Sequence, residues 1–89
     1  MENTKEGVCY LCGLRCKTHR HHIFDGPNRR LSEEDGLVVH LCPGCHNMGP
    51  VNVHNNIKLR RILQAKGQMW YEETHTREEF MKRYGRNFL

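Results

Sequence analysis

Long apolar runs are missing from this sequence of 89 residues. No stretch approaches the roughly 20 apolar residues that a membrane-spanning helix needs. A polar Glu-Asn-Thr-Lys-Glu segment follows Met1 in place of the apolar core of a signal peptide. We therefore expect no membrane partner and a cytoplasmic location. Thiols stay reduced in that compartment, so paired cysteines favour metal binding over disulfides.

Apolar and aromatic residues are also scarce. Hydrophobic residues make up 37% of the chain and aromatic residues 8%, and the mean hydropathy is -0.79. A domain of this length buries only about 60% of the surface that its unfolded chain exposes, so its core alone stabilises it weakly. Small domains of this kind commonly add disulfides or a metal ion. The five cysteines can supply such a cross-link.

Four of the cysteines form two Cys-x-x-Cys pairs, Cys9 with Cys12 and Cys42 with Cys45, separated by 29 residues. Each turn places two thiolates on one side of an ion, and four thiolates complete the tetrahedral sphere of zinc. A redox role is less favoured, because no βαβ pattern accompanies the motif. The sequence therefore predicts one structural zinc ion, whose closed sphere leaves no position for catalysis. Cys16 remains as a spare or partly buried thiol.

Local signals divide the N-terminal half of the chain into short elements. Residues 1–8 are polar and are expected to form a flexible N-terminus. Between residues 9 and 45, glycines and prolines exclude long helices. The β-branched and apolar stretch 36–41 predicts a strand. Residues 19–24 predict its hairpin partner, and Asp25-Gly26-Pro27-Asn28 opens the loop between the two strands.

Two helices, or three if Gly67 divides the first, are predicted in the C-terminal half. Residues 53–73 carry an amphipathic pattern that is interrupted only by Gly67. A second, short helix begins after Thr76, whose hydroxyl forms a capping box with the Glu79 carboxylate, and ends at Gly85. The predicted fold is a small α+β domain over residues 9–89, with a zinc knuckle and core at 9–66 and a helical extension at 67–89.

Histidines are numerous, and five of the seven lie between or beside the cysteine pairs: His19, His21, His22, His40 and His46. The predicted hairpin leads into Cys42 to His46, so strand histidines and His46 can converge on one point. Consecutive residues of a regular strand point to opposite faces, so His21 and His22 cannot both bind one ion. For His19, His40 and His75 we expect an ordinary surface or core role.

Three motifs carry a resemblance to a known family: Cys9-x-x-Cys12, His21-His22-Ile23 and Leu41-Cys42-x-x-Cys45-His46-Asn47. Over about residues 9–60 the chain resembles the HNH endonucleases. The resemblance implies a ββα-metal (His-Me finger) core, in which a hairpin and a helix surround one divalent ion, beside a four-cysteine zinc knuckle. The Gly-Pro-Asn segment after the paired histidines is similar to short phage and prophage members of the family.

The resemblance implies a role for each matching histidine. His22 matches the general base, which takes a proton from the water that attacks the phosphodiester of DNA. His21 and His46 match ligands of the catalytic divalent ion, and His54 is a further candidate ligand. The ion, Mg²⁺, Mn²⁺, Ni²⁺ or Zn²⁺, would stabilise charge on the phosphate and on the leaving 3′ oxygen. The implied catalytic set is therefore His21, His22 and His46.

The sequence departs from the family at the middle residue of the HNH motif. In the family this Asn steadies the loop that carries the general base. The matching position of this sequence is Gly36 or Leu37, and Asn28 is the candidate to replace the missing Asn. This departure favours an alternative of a different class, a catalytically inactive zinc-knuckle module that binds DNA or protein. The paired histidines favour the enzyme, because a binding module would not require them.

A net charge of +4 and a pI near 8.9 fit a polyanionic partner such as DNA. Five basic residues are the candidates for phosphate contacts: Arg20, Arg29, Arg30, Lys58 and Arg61. Taken alone, the later cluster is more simply a solvated helix face. One small domain reads few base pairs, so we expect a homodimer or a partner protein that supplies specificity.

Overall fold

Three strands and a short helix precede two longer C-terminal helices in the fold. The computed structural model describes residues 4–89. A three-stranded antiparallel sheet, in the order β1-β2-β3, is followed by C-terminal helices. The elements are β1 (Thr4–Val8), β2 (Arg15–His22), α1 (Arg29–Glu34), β3 (Val38–Leu41), α2 (Ile57–Tyr71) and α3 (Arg77–Tyr84). The predicted small α+β class is confirmed.

Contacts divide the chain into two interleaved units, which are described separately. The first comprises residues up to His21 together with Val39–Arg60. The second comprises His22–Val38 and Arg61–Leu89. The predicted subdivision of a single domain between residues 66 and 67 stays a prediction. No helix within residues 4–89 combines the length and the apolar character needed to cross a membrane.

In the first unit, strands β1 and β2 form a hairpin with Thr4 opposite His19 and Val8 opposite Arg15. The structure thus places a strand at Thr4–Val8, where the sequence predicted a flexible segment, because pairing with β2 orders these polar residues. Residues 1–3 lie outside the described part of the chain. The connection between the strands turns at Gly13, whose φ of 78° favours glycine.

The predicted strand partner at residues 19–24 is wrong in its bounds. Strand β2 begins at Arg15, because its first half pairs with β1, and it ends at His22. Ile23 and Phe24 follow as buried residues outside the strand. Strand β3 is shorter than the predicted stretch 36–41, since Gly36 has a φ of 69° that no regular strand adopts.

In the second unit, aromatic rings pack around Phe24. Its ring centroid lies 4.7 Å from that of Tyr84, 4.9 Å from that of Phe88 and 5.6 Å from that of Phe80. Helix α2 passes through Gly67 without a break. A Cβ at this position would lie 2.9 Å from Cγ2 of Ile23 and 3.0 Å from Cε2 of Phe24. Gly67 therefore permits close helix packing rather than interrupting the helix.

The C-terminal helices begin and end at identifiable caps. Helix α2 starts later than predicted, because the Asn56 side chain accepts hydrogen bonds from the backbone N–H groups of Lys58 and Leu59, at 3.0 and 3.2 Å. The capping box of Thr76 and Glu79 is confirmed. So is the end of α3 at Gly85, which has a φ of 90°.

Helix α1 was not predicted. The Gly26–Asn28 segment, expected to open a loop, forms a 3₁₀ turn that leads directly into α1. The helix has only six residues, too few to give a clear amphipathic pattern.

Candidate metal centres

The four paired cysteines come together in the first unit. Their Sγ atoms all lie within 4.8 Å of one another, and Sγ of Cys12 is 3.6 Å from Sγ of Cys42. A tetrahedral zinc ion with Zn–S bonds of about 2.3 Å holds its sulfurs about 3.8 Å apart. The predicted four-cysteine cluster is confirmed, and its donor chemistry and spacing are consistent with a structural zinc site.

Backbone amides stabilise negative charge on the sulfurs of both Cys-x-x-Cys turns. The N–H of Cys12 donates to Sγ of Cys9 over 3.5 Å, and the N–H of Cys45 donates to Sγ of Cys42 over 3.4 Å. Burial alone would raise the pKa of Cys9, but hydrogen bonds with the backbone at Cys42, Cys12 and Leu11 outweigh it and lower the pKa to about 6. This sulfur is therefore prepared to bind as thiolate.

The thiol of Cys45 is harder to ionise beside it. Burial, followed by the neighbouring sulfurs of Cys42, Cys12 and Cys9, raises the pKa of Cys45. Four thiolates at this spacing repel one another, and a divalent cation compensates that repulsion. Cys16 lies outside the cluster; burial and the nearby cysteine sulfurs raise its pKa.

Three histidines form a second group of metal donors in the same unit. One ring nitrogen from each of His21, His46 and His54 lies within 4.8 Å of the others. The ring centroids of these three residues are 5.0 to 5.6 Å apart. The structure thus brings together the two histidines that match metal ligands and the further candidate His54. Imidazole nitrogens suit Zn²⁺ and Ni²⁺ in particular.

Different elements carry the three histidines. His21 is a buried residue near the end of β2, only 7% exposed. His46 lies in a wide helical turn over Gly44–Met48, which is closed by a 3.0 Å hydrogen bond from the N–H of Gly49 to the carbonyl of Gly44. Because this turn follows the second cysteine pair directly, folding of the cysteine cluster also places His46.

His54 is placed by a side chain that sequence reasoning missed. The buried Asn52 accepts a hydrogen bond from the N–H of His54 over 2.9 Å and donates to the carbonyl of Gly49 over 2.8 Å. A third bond, from the N–H of Val53 to the carbonyl of Cys45, measures 2.9 Å. The Asn at 52, two residues before His54, is the kind of local signal that could have indicated this turn.

His19 has a partner that the sequence did not predict. Its Nδ1 lies 3.0 Å from Nδ1 of His46. This contact leaves Nε2 of His46 available to bind an ion. Burial, followed by the nearby His54 and His19, lowers the pKa of His46. An imidazole must be unprotonated to bind a metal, so this shift favours ligation.

His22 follows His21 in β2 but belongs to the second unit. Its side chain is 13% exposed; Nε2 lies 3.1 Å from Oε1 of Glu33, and Nε of Arg29 donates to Nδ1 over 3.4 Å. These residues line a surface pocket of about 420 Å³ together with Gly26, Pro27 and Arg30. The histidine proposed from sequence as the base thus lies beside two of the predicted phosphate contacts.

The other three residues predicted to contact phosphate have different surroundings. Arg20 is half-buried in β2, whereas Lys58 and Arg61 are exposed on α2.

His40 is half-buried in β3, and its Nδ1 has no hydrogen-bond partner among residues 4–89. His75 stacks on the ring of Tyr71, with a centroid distance of 4.0 Å.

Asn28, the candidate to replace the missing Asn of the HNH motif, has a contact at the end of α3. Its amide nitrogen donates to the carbonyl of Tyr84 over 3.1 Å, at the end of α3. The loop after His22 is instead held by Ser32, which is fully buried. Ser32 accepts from the N–H of Phe24 over 3.2 Å and donates to the carbonyl of Leu37 over 2.5 Å. Sequence reasoning missed Ser32, because a single serine in a polar segment gives no signal.

Comparison of the chain with protein-family models, curated proteins and solved structures finds no match in any of the three.

Proposed function

We propose that this protein is a metal-dependent endonuclease of the HNH type, which hydrolyses phosphodiester bonds of DNA. The observation that carries the proposal is the group formed by His21, His46 and His54, whose ligand nitrogens lie within 4.8 Å of one another. Three protein ligands leave a coordination position for water or substrate, as catalytic zinc sites do. The finer fold assignment, a ββα-metal core, belongs to the same proposal.

The two donor groups differ in the chemistry that they support. Four cysteines close the sphere of a structural ion, so that site serves folding. The histidine group has an incomplete protein sphere and one exposed member, His54. When bound there, a divalent ion would stabilise negative charge on the phosphate and the leaving oxygen. A purely structural knuckle has no need of this second group.

His22 is the proposed general base. The oxygen of a water molecule forms a bond to phosphorus while one of its protons passes to the ring of His22, and the bond to the 3′ oxygen breaks. The leaving oxygen takes a proton from solvent. Histidine is the side chain that most often serves as a general base in enzymes. Arg29 and Arg30, which line the same pocket as His22, supply positive charge for the DNA backbone.

The test is cleavage of supercoiled plasmid in the presence of Mg²⁺, Mn²⁺, Ni²⁺ or Zn²⁺. We expect the wild-type protein to produce nicked or linear plasmid. We expect His22→Ala to slow cleavage by about 10²- to 10⁴-fold, the usual contribution of a general base. His75→Ala is the matched control, because His75 stacks on Tyr71 outside the donor group. Absence of cleavage with all four ions, or unchanged cleavage by His22→Ala, contradicts the proposal.

A zinc-knuckle module that binds DNA or protein without cutting is the second candidate. It is favoured by Asn28, whose amide is engaged by the carbonyl of Tyr84 and so does not replace the missing Asn of the HNH motif. Such a module would shift DNA in a binding assay, or retain a protein partner, and would leave plasmid intact with every ion. The same two assays therefore distinguish the two candidates.

A further inference from the structure

Both ring nitrogens of His22 have hydrogen-bond partners within the second unit. A guanidinium group can only donate, so Nδ1 of His22 accepts from Nε of Arg29 at 3.4 Å and carries no proton. An ionised carboxylate can only accept, so Nε2 of His22 donates its proton to Oε1 of Glu33 at 3.1 Å. The two contacts require the same arrangement of the ring, with the proton on Nε2 and the lone pair on Nδ1.

The helix that carries Glu33 is anchored to the loop that follows His22. Ser32, the preceding residue in α1, bridges the N–H of Phe24 and the carbonyl of Leu37 through its buried hydroxyl. The N–H of Leu37 in turn donates to the carbonyl of Ser32 over 2.8 Å. These bonds hold α1 against the residues that follow His22, and so support the contact between Glu33 and His22.

We propose that Glu33 is a positioning residue for His22. Its carboxylate holds the ring proton on Nε2 and fixes the ring orientation, so that Nδ1 is the nitrogen that receives the proton from water. Glu33 would thus orient the ring of His22 as a carboxylate orients the histidine of a hydrolytic triad. This inference deepens the proposed function and rests on it.

Arg29 contacts the nitrogen that receives the proton in this proposal. Its guanidinium group donates to Nδ1 of His22, and it lines the pocket of about 420 Å³ together with Arg30. A phosphate oxygen carries a negative charge that the lone pair of imidazole lacks, so a phosphate group in the pocket would attract the guanidinium away from Nδ1.

The experiment compares three variants of the zinc-loaded protein. Glu33→Ala removes the acceptor, whereas Glu33→Gln keeps an oxygen acceptor of the same length without the charge. Glu34→Ala is the matched control: Glu34 lies next in α1, and its side chain is as exposed as that of Glu33, at 49% against 48%. Glu34 pairs with Arg83 and Arg30 instead of His22. Zinc content and thermal melting of each variant verify that it is folded.

Two readouts separate positioning from a general structural effect. The first is the nitrogen-15 NMR signal of the His22 ring N–H, assigned by its loss in His22→Ala and measured without DNA. We expect a signal protected from exchange with water in the wild type, Glu33→Gln and Glu34→Ala, and its loss in Glu33→Ala. The second is plasmid cleavage: in Glu33→Ala we expect kcat to fall by about 10- to 100-fold, as when an outer partner of a functional histidine is removed, with KM unchanged.

Three outcomes overturn the inference. In the first, Glu33→Ala keeps the protected ring signal and the wild-type kcat. In the second, Glu33→Gln loses as much activity as Glu33→Ala, which would assign the effect to charge. In the third, Glu34→Ala loses as much as Glu33→Ala. If the wild type cuts no plasmid, the proposed function fails, and the ring signal alone decides whether Glu33 orients His22.

Discussion

The small side chain of Ser32 links two backbone groups in a chain that has few apolar residues. Its hydroxyl satisfies the N–H of Phe24 and the carbonyl of Leu37 at the same time. All three residues are buried, so water cannot replace these bonds. An unsatisfied buried polar group costs about 1–3 kcal/mol.

We therefore expect Ser32→Ala to lower the free energy of unfolding by about 1–3 kcal/mol, because two backbone groups lose their partner. Urea unfolding of the zinc-loaded protein measures the change. Thr74→Ala is the control, since its exposed hydroxyl contacts only the neighbouring His75 among the hydrogen bonds resolved for it. Equal stability of Ser32→Ala and wild type would show that the bridge contributes little.

Gly67 gives a second prediction, because helix propensity and packing oppose each other there. Alanine is favoured over glycine within a helix by about 1 kcal/mol. The added Cβ would approach Ile23 and Phe24 to 2.9 and 3.0 Å, however, and both side chains are buried. Overpacking of this kind costs about 1–3 kcal/mol, so we expect Gly67→Ala to be destabilising in urea unfolding.

The exposed neighbour Lys66 provides the control for Gly67. Lys66→Ala keeps a good helix former at a solvent-facing position, so its stability should stay within about 0.5 kcal/mol of wild type. A Gly67→Ala variant that is more stable than wild type would mean that Ile23 and Phe24 can move aside at little cost.

Helix α3 illustrates an element whose bounds are local properties of the chain. Its first turn is held by Thr76 and Glu79, which satisfy each other's backbone N–H groups. Its last turn ends at Gly85 in the left-handed region. All of these signals lie within ten residues, so they can be predicted without knowledge of the rest of the molecule.

The pH dependence of α3 follows from Glu79. Hydrogen bonding to the Thr76 backbone, and then to its hydroxyl, lowers the pKa of Glu79 below the ordinary value of 4.5. A carboxylate with a lowered folded-state pKa stabilises the fold above its unfolded-state pKa, and this contribution is lost as the pH falls through the folded-state value. We expect Glu79→Gln to be less stable than wild type at neutral pH and to approach it as the pH falls through the lowered pKa of Glu79.

Thermal melts at a series of pH values test this expectation. Glu78→Gln is the matched control, because Glu78 lies in the same turn and its carboxylate is not part of the capping box. A difference between wild type and Glu79→Gln that stays constant with pH would contradict the role assigned to the carboxylate.

Helix α1 shows the opposite case, an element that depends on distant contacts. Its six residues carry few apolar side chains, and its anchor, Ser32, bonds to residues on both sides of the helix. No local pattern distinguishes such a segment from a loop. The Glu33 and Arg29 contacts of His22 were missed for the same reason.

For the whole molecule, the most consequential prediction concerns the four-cysteine cluster. Its two pairs are separated by 29 residues, so an ion that binds both cross-links distant parts of the first unit. In small metal-binding domains the free energy of metal binding is part of the free energy of folding. Removal of zinc by a chelator should therefore abolish the cooperative thermal transition of the first unit.

Cys42→Ser tests the same dependence within the chain. We expect it to lose the zinc ion of the four-cysteine cluster, measured by mass spectrometry of the metal content, together with the folded state. Cys16→Ser should keep both, since Cys16 lies outside the cluster. Equal zinc content in the two variants would contradict the assignment. Because thiolates must be deprotonated to bind, zinc should also be released as the pH falls.

The sequence by itself determined the features that depend on spacing along the chain. The two Cys-x-x-Cys turns, the capping box of α3 and its terminal glycine all lie in short segments. The structure confirms the cysteine cluster. Each turn brings two sulfurs together locally, so only one long-range contact, between the two turns, is needed to complete the cluster. The role of His22 and the identity of any catalytic ion stay predictions.

Only the tertiary structure decided which polar side chains meet. His19 contacts His46, 27 residues further along the chain, through turns whose geometry no pattern of single residues specifies. Strand β1 is ordered by pairing with β2. These features share one physical reason: hydrogen bonds and metal donors require distances near 3 Å between residues that are far apart in the sequence, and such distances are set by packing.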